Sequence, residues 1–295
     1  MISADKKRRI GLFNGAFAAV SYGTNPLFAL PLYAAGLTVN SVLFYRYAIA
    51  LVLYGLWLKF QKKINFNINW QEGFVLLILG LFFSLSSLTL FDAFKYIEAG
   101  IACTILFIYP VLVAIIMAIF FKEKVTKTVV TSILLITVGI TFLYHGKSGT
   151  TLNLHGVLIV LLSALLYSLY IVGVKNIKII RHMNSAKMTF YVMLFGLLVY
   201  IINSSFCTQL QPLNSPLVCL YALGLALFPT IISIETINIA IKLIGSTTTA
   251  ILGSLEPLTA LFFGVVVFHE QLTPRIICGI VAIILGVILI IKRKN

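Results

Sequence analysis

The sequence predicts an all-α membrane protein whose ten transmembrane helices form two inverted five-helix repeats. Three observations carry that prediction. Hydrophobic residues make up 60% of the 295 positions and charged residues only 10%, against roughly 25% charged in soluble domains. The basic residues fall almost wholly on one side of the apolar segments. The first half of the chain reads again in the second half, with an odd number of segments in each copy.

The apolar segments run over 10–33, 41–60, 71–94, 99–121, 127–145, 155–174, 187–206, 217–241, 246–268 and 274–291. Each is close to the ~20 residues that cross a hydrocarbon core at ~1.5 Å per residue. A helix satisfies its own backbone polar groups in lipid, whereas a β-barrel would show short alternating segments, which the chain lacks. A turn around Lys95 and Glu98 joins spans 3 and 4, and Lys242 to Gly245 joins spans 8 and 9.

With the N-terminus in the cytoplasm, 18 of the 22 basic residues lie on that side, from Lys6, Lys7, Arg8 and Arg9 to Lys292. Only Lys95, Lys147 and Arg275 lie outside, and Arg46 sits within a span. The positive-inside rule then puts both termini in the cytoplasm. The net charge of +14 is thereby a topology signal, and no nucleic-acid partner is expected. Ala16-Phe17-Ala18 resembles a signal-peptide cleavage site, but the apolar stretch continues past it, so an uncleaved first span is expected.

Soluble chemistry is poorly served. Cys103 and Cys278 lie inside spans, where a small packing role is expected. Cys207 and Cys219 flank an outer loop, and whether they pair stays open. There is no CxxC spacing. His145-Gly146-Lys147-Ser148 has Thr141 where a phosphate loop needs its first glycine, and His269-Glu270 lacks the second histidine of a zinc protease. No metal, no cofactor and no enzymatic centre are expected.

The repeat is explicit. At a shift of 147, Lys95 meets Lys242, Pro110 meets Pro257, Phe121 meets Phe268, Glu123 meets Glu270, Thr126 meets Thr273 and Gly139 meets Gly286, without a gap. At a shift of 145, Gly11 meets Gly156, Ala19 meets Ala164 and Tyr22 meets Tyr167. The copies are 1–147 and 148–295. Five spans per copy invert the second relative to the first, the architecture of many secondary transporters. Thr126 and Thr273 stand where helix N-caps belong, with Pro274 at a first helical position. Glu123 and Glu270 read as hairpin residues near water.

The run from Lys242 to Thr273, KLIGSTTTAILGSLEPLTALFFGVVVFHEQLT, resembles the second-half signature of the EamA-type transporters of the drug/metabolite transporter superfamily. Gly139, Gly286 and Arg46 fit the same pattern. Tyr109 departs from it, standing where the second half has Glu256 before its proline. The resemblance implies a carrier of the bacterial inner membrane with both termini cytoplasmic. It implies a central cavity lined by spans 1–4 and 6–9, spans 5 and 10 at the periphery, and a small metabolite or drug-like substrate, usually exported.

The residues support a cavity on their own. Asn14, Ala18, Ser21 and Asn25 share a face of span 1 at helical spacing, and Ser163, Tyr167 and Tyr170 form the related face of span 6. Span 3 carries Ser84, Ser86, Ser87 and Thr89; span 8 carries Pro229, Thr230, Ser233, Glu235, Thr236 and Asn238; and Thr249, Gly253, Glu256 and Thr259 line span 9. Such faces turn toward protein or water. For any one Ser or Thr, plain helix packing is the competing account. The candidate substrate-binding set is Asn14, Ser21, Tyr22, Asn25, Arg46, Ser84, Ser87, Tyr167, Tyr170, Ser233, Glu235 and Glu256. Candidate gating or coupling residues are Arg46, Asp92, Glu256, Pro110 and Pro257.

Arg46 could hold a substrate carboxylate, pair with Asp92 as a gate, or snorkel to the outer interface. Glu256 lies ten residues into span 9, near the midplane, where a carboxyl suits proton coupling or recognition of a basic group. The alternative is a protonated brace bonded to a neighbouring carbonyl. Pro110 and Pro257 put a break or a tolerated kink at matching depth. The resulting expectation is alternating-access transport of an amino acid-like or drug-like solute, with a coupling proton and homo-oligomerisation left open. A non-transporting membrane partner or sensor is the competing class, and it predicts a sealed interior.

Overall fold

The structure, a computed structural model, describes residues 4–93, 95–97, 102, 105–143, 153–268 and 273–292. Among the described residues there are helices and no strands. They are α1 (Ala4–Tyr22), α2 (Asn25–Ala34), α3 (Val39–Phe60), α4 (Trp70–Ala93), α5 (Tyr109–Phe121), α6 (Lys127–Leu143), α7 (Leu154–Asn176), α8 (Lys178–His182), α9 (Ser185–Asn203), α10 (Pro216–Ala226), a π-helical stretch (Leu227–Ile232), α11 (Ser233–Ile244), α12 (Ser246–Leu252), α13 (Leu255–Phe268) and α14 (Pro274–Lys292).

Among the described residues, seven segments are long and apolar enough to cross a membrane: Val39–Phe60, Trp70–Ala93, Leu154–Asn176, Ser185–Asn203, Pro216–Ile244, Ser246–Val267 and Pro274–Lys292. Tyr109–Phe121 and Lys127–Phe142 are shorter apolar helices. The first expected span, 10–33, is not one helix but α1 and α2, separated at Gly23-Thr24. The break falls ahead of Pro26, which lacks the amide a continuous helix would use.

Helix ends follow local chemistry. Asn153 accepts from the amides of His155 and Gly156, Asn184 from Ala186 and Lys187, and Ser215 from Val218, each capping a helix start. Thr273 caps α14 as expected, its hydroxyl accepting from the Ile276 amide at 3.3 Å. Thr126 does not cap α6, because its hydroxyl is buried without a partner. Cys278, expected to pack in the interior, is instead exposed on α14. The cysteines Cys207 and Cys219 are both free and exposed. Glu98, Cys103, the 145–148 run with Lys147, and His269-Glu270 lie outside the described residues.

Packing between the halves is reciprocal. A Cβ added to Gly11 would meet the Ile244 side chain at 2.5 Å, and one added to Gly156 would meet Ile97 at 2.8 Å. Ile97 and Ile244 are register mates, as are Gly11 and Gly156. Two turns further along, Ser233 Oγ donates to the Ala18 carbonyl at 3.1 Å, and its mate Ser86 Oγ donates to the Ser163 carbonyl at 2.9 Å. Thus α1 lies against α11 as α7 lies against α4. The α6–α14 pair repeats the logic: Gly139 packs on Gly279 and Ile283, and Gly286 packs on Ser132 and Ile136. In each pair, residues late in one helix meet residues early in the other, so the paired helices run antiparallel.

Candidate functional site

Four of the expected spans are interrupted, and the interruptions meet. Span 1 breaks at Gly23-Thr24 before Pro26, span 4 turns at Phe107-Ile108 before Pro110, and span 9 turns at Gly253-Ser254 before Pro257. In span 8, Pro229 sits within the π-helical stretch. Each proline removes one backbone donor, so a regular helix cannot run through it without orphaning a carbonyl. At Pro229 a side chain satisfies what is freed, Thr230 Oγ1 donating to the Leu225 carbonyl at 2.8 Å; beside the span 9 turn, Tyr109 Oη donates to the Ala250 carbonyl at 3.1 Å. The breaks also touch. A Cβ on Gly23 would stand 2.5 Å from the Glu256 carbonyl oxygen, and Ser21 Oγ donates to the Phe228 carbonyl at 2.6 Å.

Arg46 is 2% exposed, so it does not snorkel to the interface. Its Nε donates to Thr230 Oγ1 at 2.6 Å and its Nη2 to the Pro229 carbonyl at 2.7 Å. The planar fork thus grips the π-helical stretch at two points, which a lysine could not reproduce. The guanidinium lies 5.2 Å from the centre of the Tyr22 ring, within cation–π range. Among the described residues no carboxylate forms an ion pair with it. Beside it, Tyr47 stacks edge-on against Tyr200, and the Tyr47 and Ser84 hydroxyls are buried without partners.

Glu256 opens the α13 stretch next to the span 9 turn. It lies deep within the protein and close enough to Arg46 to feel the guanidinium charge, yet it keeps accessible surface. Tyr167 is likewise deeply placed and only half-buried. The Tyr109 and Tyr167 rings meet edge-on at 4.9 Å, and Phe83 packs against both Tyr167 and Tyr170. Tyr22, Tyr109, Tyr167, Arg46 and Glu256 therefore form one constellation: one cation, one carboxyl and three aromatic faces with polar tips.

The other sequence candidates distribute differently. Tyr170 donates to Asn238 Oδ1 at 2.6 Å, and Asn238 donates to Thr189, a buried brace across α7, α11 and α9. Ser21 and Ser233 tie span 1 to span 8 through backbone carbonyls. Asn14, Asn25 and Ser87 each donate to a carbonyl of their own segment. Glu235 is half-buried beside the Tyr54 phenol, two turns along α3 from Arg46. Asp92 pairs with exposed Lys95 at 2.5 Å in this structure. Pro110 and Pro257 stand at the starts of α5 and α13.

Tyr109 was legible in the sequence only as a departure from the repeat, and its contact with the span 9 turn needs the fold. Thr230 and the Pro229 carbonyl were hidden for the same reason, since a π-helical stretch has no side-chain periodicity to announce it. A groove of about 750 Å³ between α5 and α6, lined by residues such as Ile108, Ile115 and Leu134, is almost wholly apolar. It shares none of the central polar groups.

The family model described as the EamA-like transporter family matches the chain twice, over residues 9–145 and 154–292. A solved structure titled only "Crystal structure of protein" superposes with a TM-score of 0.80, covering 95% of each chain at 16% identity. At that identity the likeness concerns the fold alone. No curated protein sequence matches.

Proposed function

The chain belongs to the EamA-like transporter family and is a multi-pass membrane protein; from that premise we propose that it is a secondary carrier of a small amino acid-like solute, working by alternating access. The convergence of four interrupted spans around Arg46 and Glu256 carries this reading. Broken helices at the midplane are where carriers place their sites, because freed backbone groups and buried charges can serve a solute there. Seven long apolar segments, two shorter ones and the α1–α2 pair support the reading of ten spans in two repeats, 1–147 and 148–295. The reciprocal antiparallel contacts support inversion of one repeat relative to the other.

A zwitterion suits the constellation. Its carboxylate would face the Nη1 side of Arg46, since Nε and Nη2 hold Thr230 and the Pro229 carbonyl, and its ammonium group would face Glu256, with the tyrosines around its side chain. Tyr47 and Ser84 offer spare hydroxyls beside Arg46. Asp92 and the two break prolines are the proposed moving parts, and Glu256 is the candidate carrier of a coupling proton. The charge bias of the loops supports cytoplasmic termini in a bacterial inner membrane, and export is the proposed direction.

Reconstitution in liposomes with counterflow of labelled amino acids and of cationic drugs tests the proposal. Accelerated exchange of a zwitterionic amino acid, lost on Arg46→Ala, is the expected result. Exchange of no solute by well-folded protein would favour a non-transporting membrane partner instead.

A further inference from the structure

Tyr109 and Gly253 fit each other across the boundary between the two halves. Tyr109 is 2% exposed. Its hydroxyl occupies the notch over Gly253, where an added Cβ would lie 1.8 Å from Oη and 3.2 Å from Cζ. From that notch it donates to the Ala250 carbonyl at 3.1 Å. That carbonyl lies one turn before the Gly253-Ser254 interruption, where it accepts from the Gly253 amide at 3.2 Å while the Ser254 amide donates to Ile251. The far side of Tyr109 is held by α7: its ring meets Tyr167 edge-on, and its carbonyl accepts from Ser168 Oγ at 3.2 Å. One side chain from span 4 thus joins spans 6 and 9 three residues from Glu256.

We propose that Tyr109 is a positioning residue, a one-sided latch that holds the broken span 9, and with it Glu256, in the present conformation and releases it when the carrier changes the face to which it opens. The proposal rests on the alternating-access reading. One-sidedness follows from the repeat. The register mate of Tyr109 is Glu256 and that of Gly253 is Leu106. A leucine supplies a side chain where Gly253 leaves a notch, so the opposite conformation has no equivalent socket. A latch present in one state only shifts the ratio of the two states, whereas a symmetric one would not.

The test reads that ratio without a substrate. Thr24, half-buried at the span 1 break, is replaced by cysteine in a background with Cys103, Cys207, Cys219 and Cys278 changed to Ser. Labelling by a membrane-impermeant maleimide is timed in intact cells and in inverted vesicles. Tyr109→Phe keeps the ring and removes one hydrogen bond, so the ratio of the two rates should move about fivefold toward one face. Gly253→Ala should move it the same way by evicting the hydroxyl. Combining the two should add little beyond Tyr109→Phe, since the atom at 1.8 Å is gone and only the Cζ contact at 3.2 Å remains. An unchanged ratio in Tyr109→Phe, or both rates rising together as for general loosening, overturns the latch. Labelling confined to one face in every variant also overturns it. Persistent counterflow in that case leaves the transport reading standing, and absent counterflow removes both.

Discussion

At the scale of single residues, Arg46 and Glu256 make the sharpest predictions. Arg46→Ala leaves the Thr230 hydroxyl and the Pro229 carbonyl without their buried donor, at a cost of about 1–3 kcal/mol per orphaned group. Transport in reconstituted vesicles should fall at least about tenfold, the factor that 1.4 kcal/mol represents. Arg46→Lys should recover only part of it, because an ammonium cannot bond the hydroxyl and the carbonyl in the same plane. Normal transport by Arg46→Ala at normal protein levels would reduce Arg46 to a structural strut. Glu256→Gln keeps shape and hydrogen-bonding capacity while removing titration. Gradient-driven accumulation should be lost while solute exchange persists, and the pH dependence of uptake should flatten. A Gln variant that still concentrates solute with the native pH profile would make Glu256 a brace. Both residues stood out in the sequence because charges are rare in apolar spans. Their separate partners did not, since Arg46 finds its acceptors 183 and 184 residues away.

At the scale of elements, the glycines at helix crossings set how closely the spans approach. Gly286→Leu would drive a side chain into Ile136 and the Ser132 carbonyl, which would lie 2.7 and 3.0 Å from the first added carbon. Overpacking of this kind costs about 1–3 kcal/mol. The thermal midpoint in detergent should drop by several degrees, while counterflow at low temperature changes little because α6 and α14 contribute no group to the central constellation. Gly11→Leu, by contrast, pushes α1 off α11 and should lower both stability and transport. Parity between the two variants in counterflow would argue against a peripheral α6–α14 pair. Apolar periodicity and proline positions located most of these elements in advance. The division of span 1 was missed because a single apolar run conceals a two-residue turn whose backbone groups are satisfied locally, through the Thr24 and Asn25 side chains.

For the whole molecule, the charge bias predicts orientation. Cys207, exposed in the connection after α9, should react with an impermeant maleimide in intact cells once the other cysteines are removed. A cysteine replacing Lys62, exposed after α3, should react only after permeabilisation. The opposite pattern would overturn cytoplasmic termini, because it would place the lysine-rich turns outside.

The sequence by itself determined that this chain crosses the membrane many times, that its halves share one register, and that a few charges and prolines are held at depth. Composition and periodicity are enough for that, because lipid penalises every exposed polar group and forces the pattern into the residue order. The tertiary structure decided which of those residues meet. Tyr170, Ser21 and Ser233 share helical faces with cavity candidates but spend their hydroxyls on neighbouring helices. Tyr109, outside every polar face read from the sequence, ends beside Glu256 because a glycine 144 positions later leaves room for its hydroxyl. Such contacts join residues from opposite halves of the chain, and side-chain spacing along one helix carries no information about the helix it packs against.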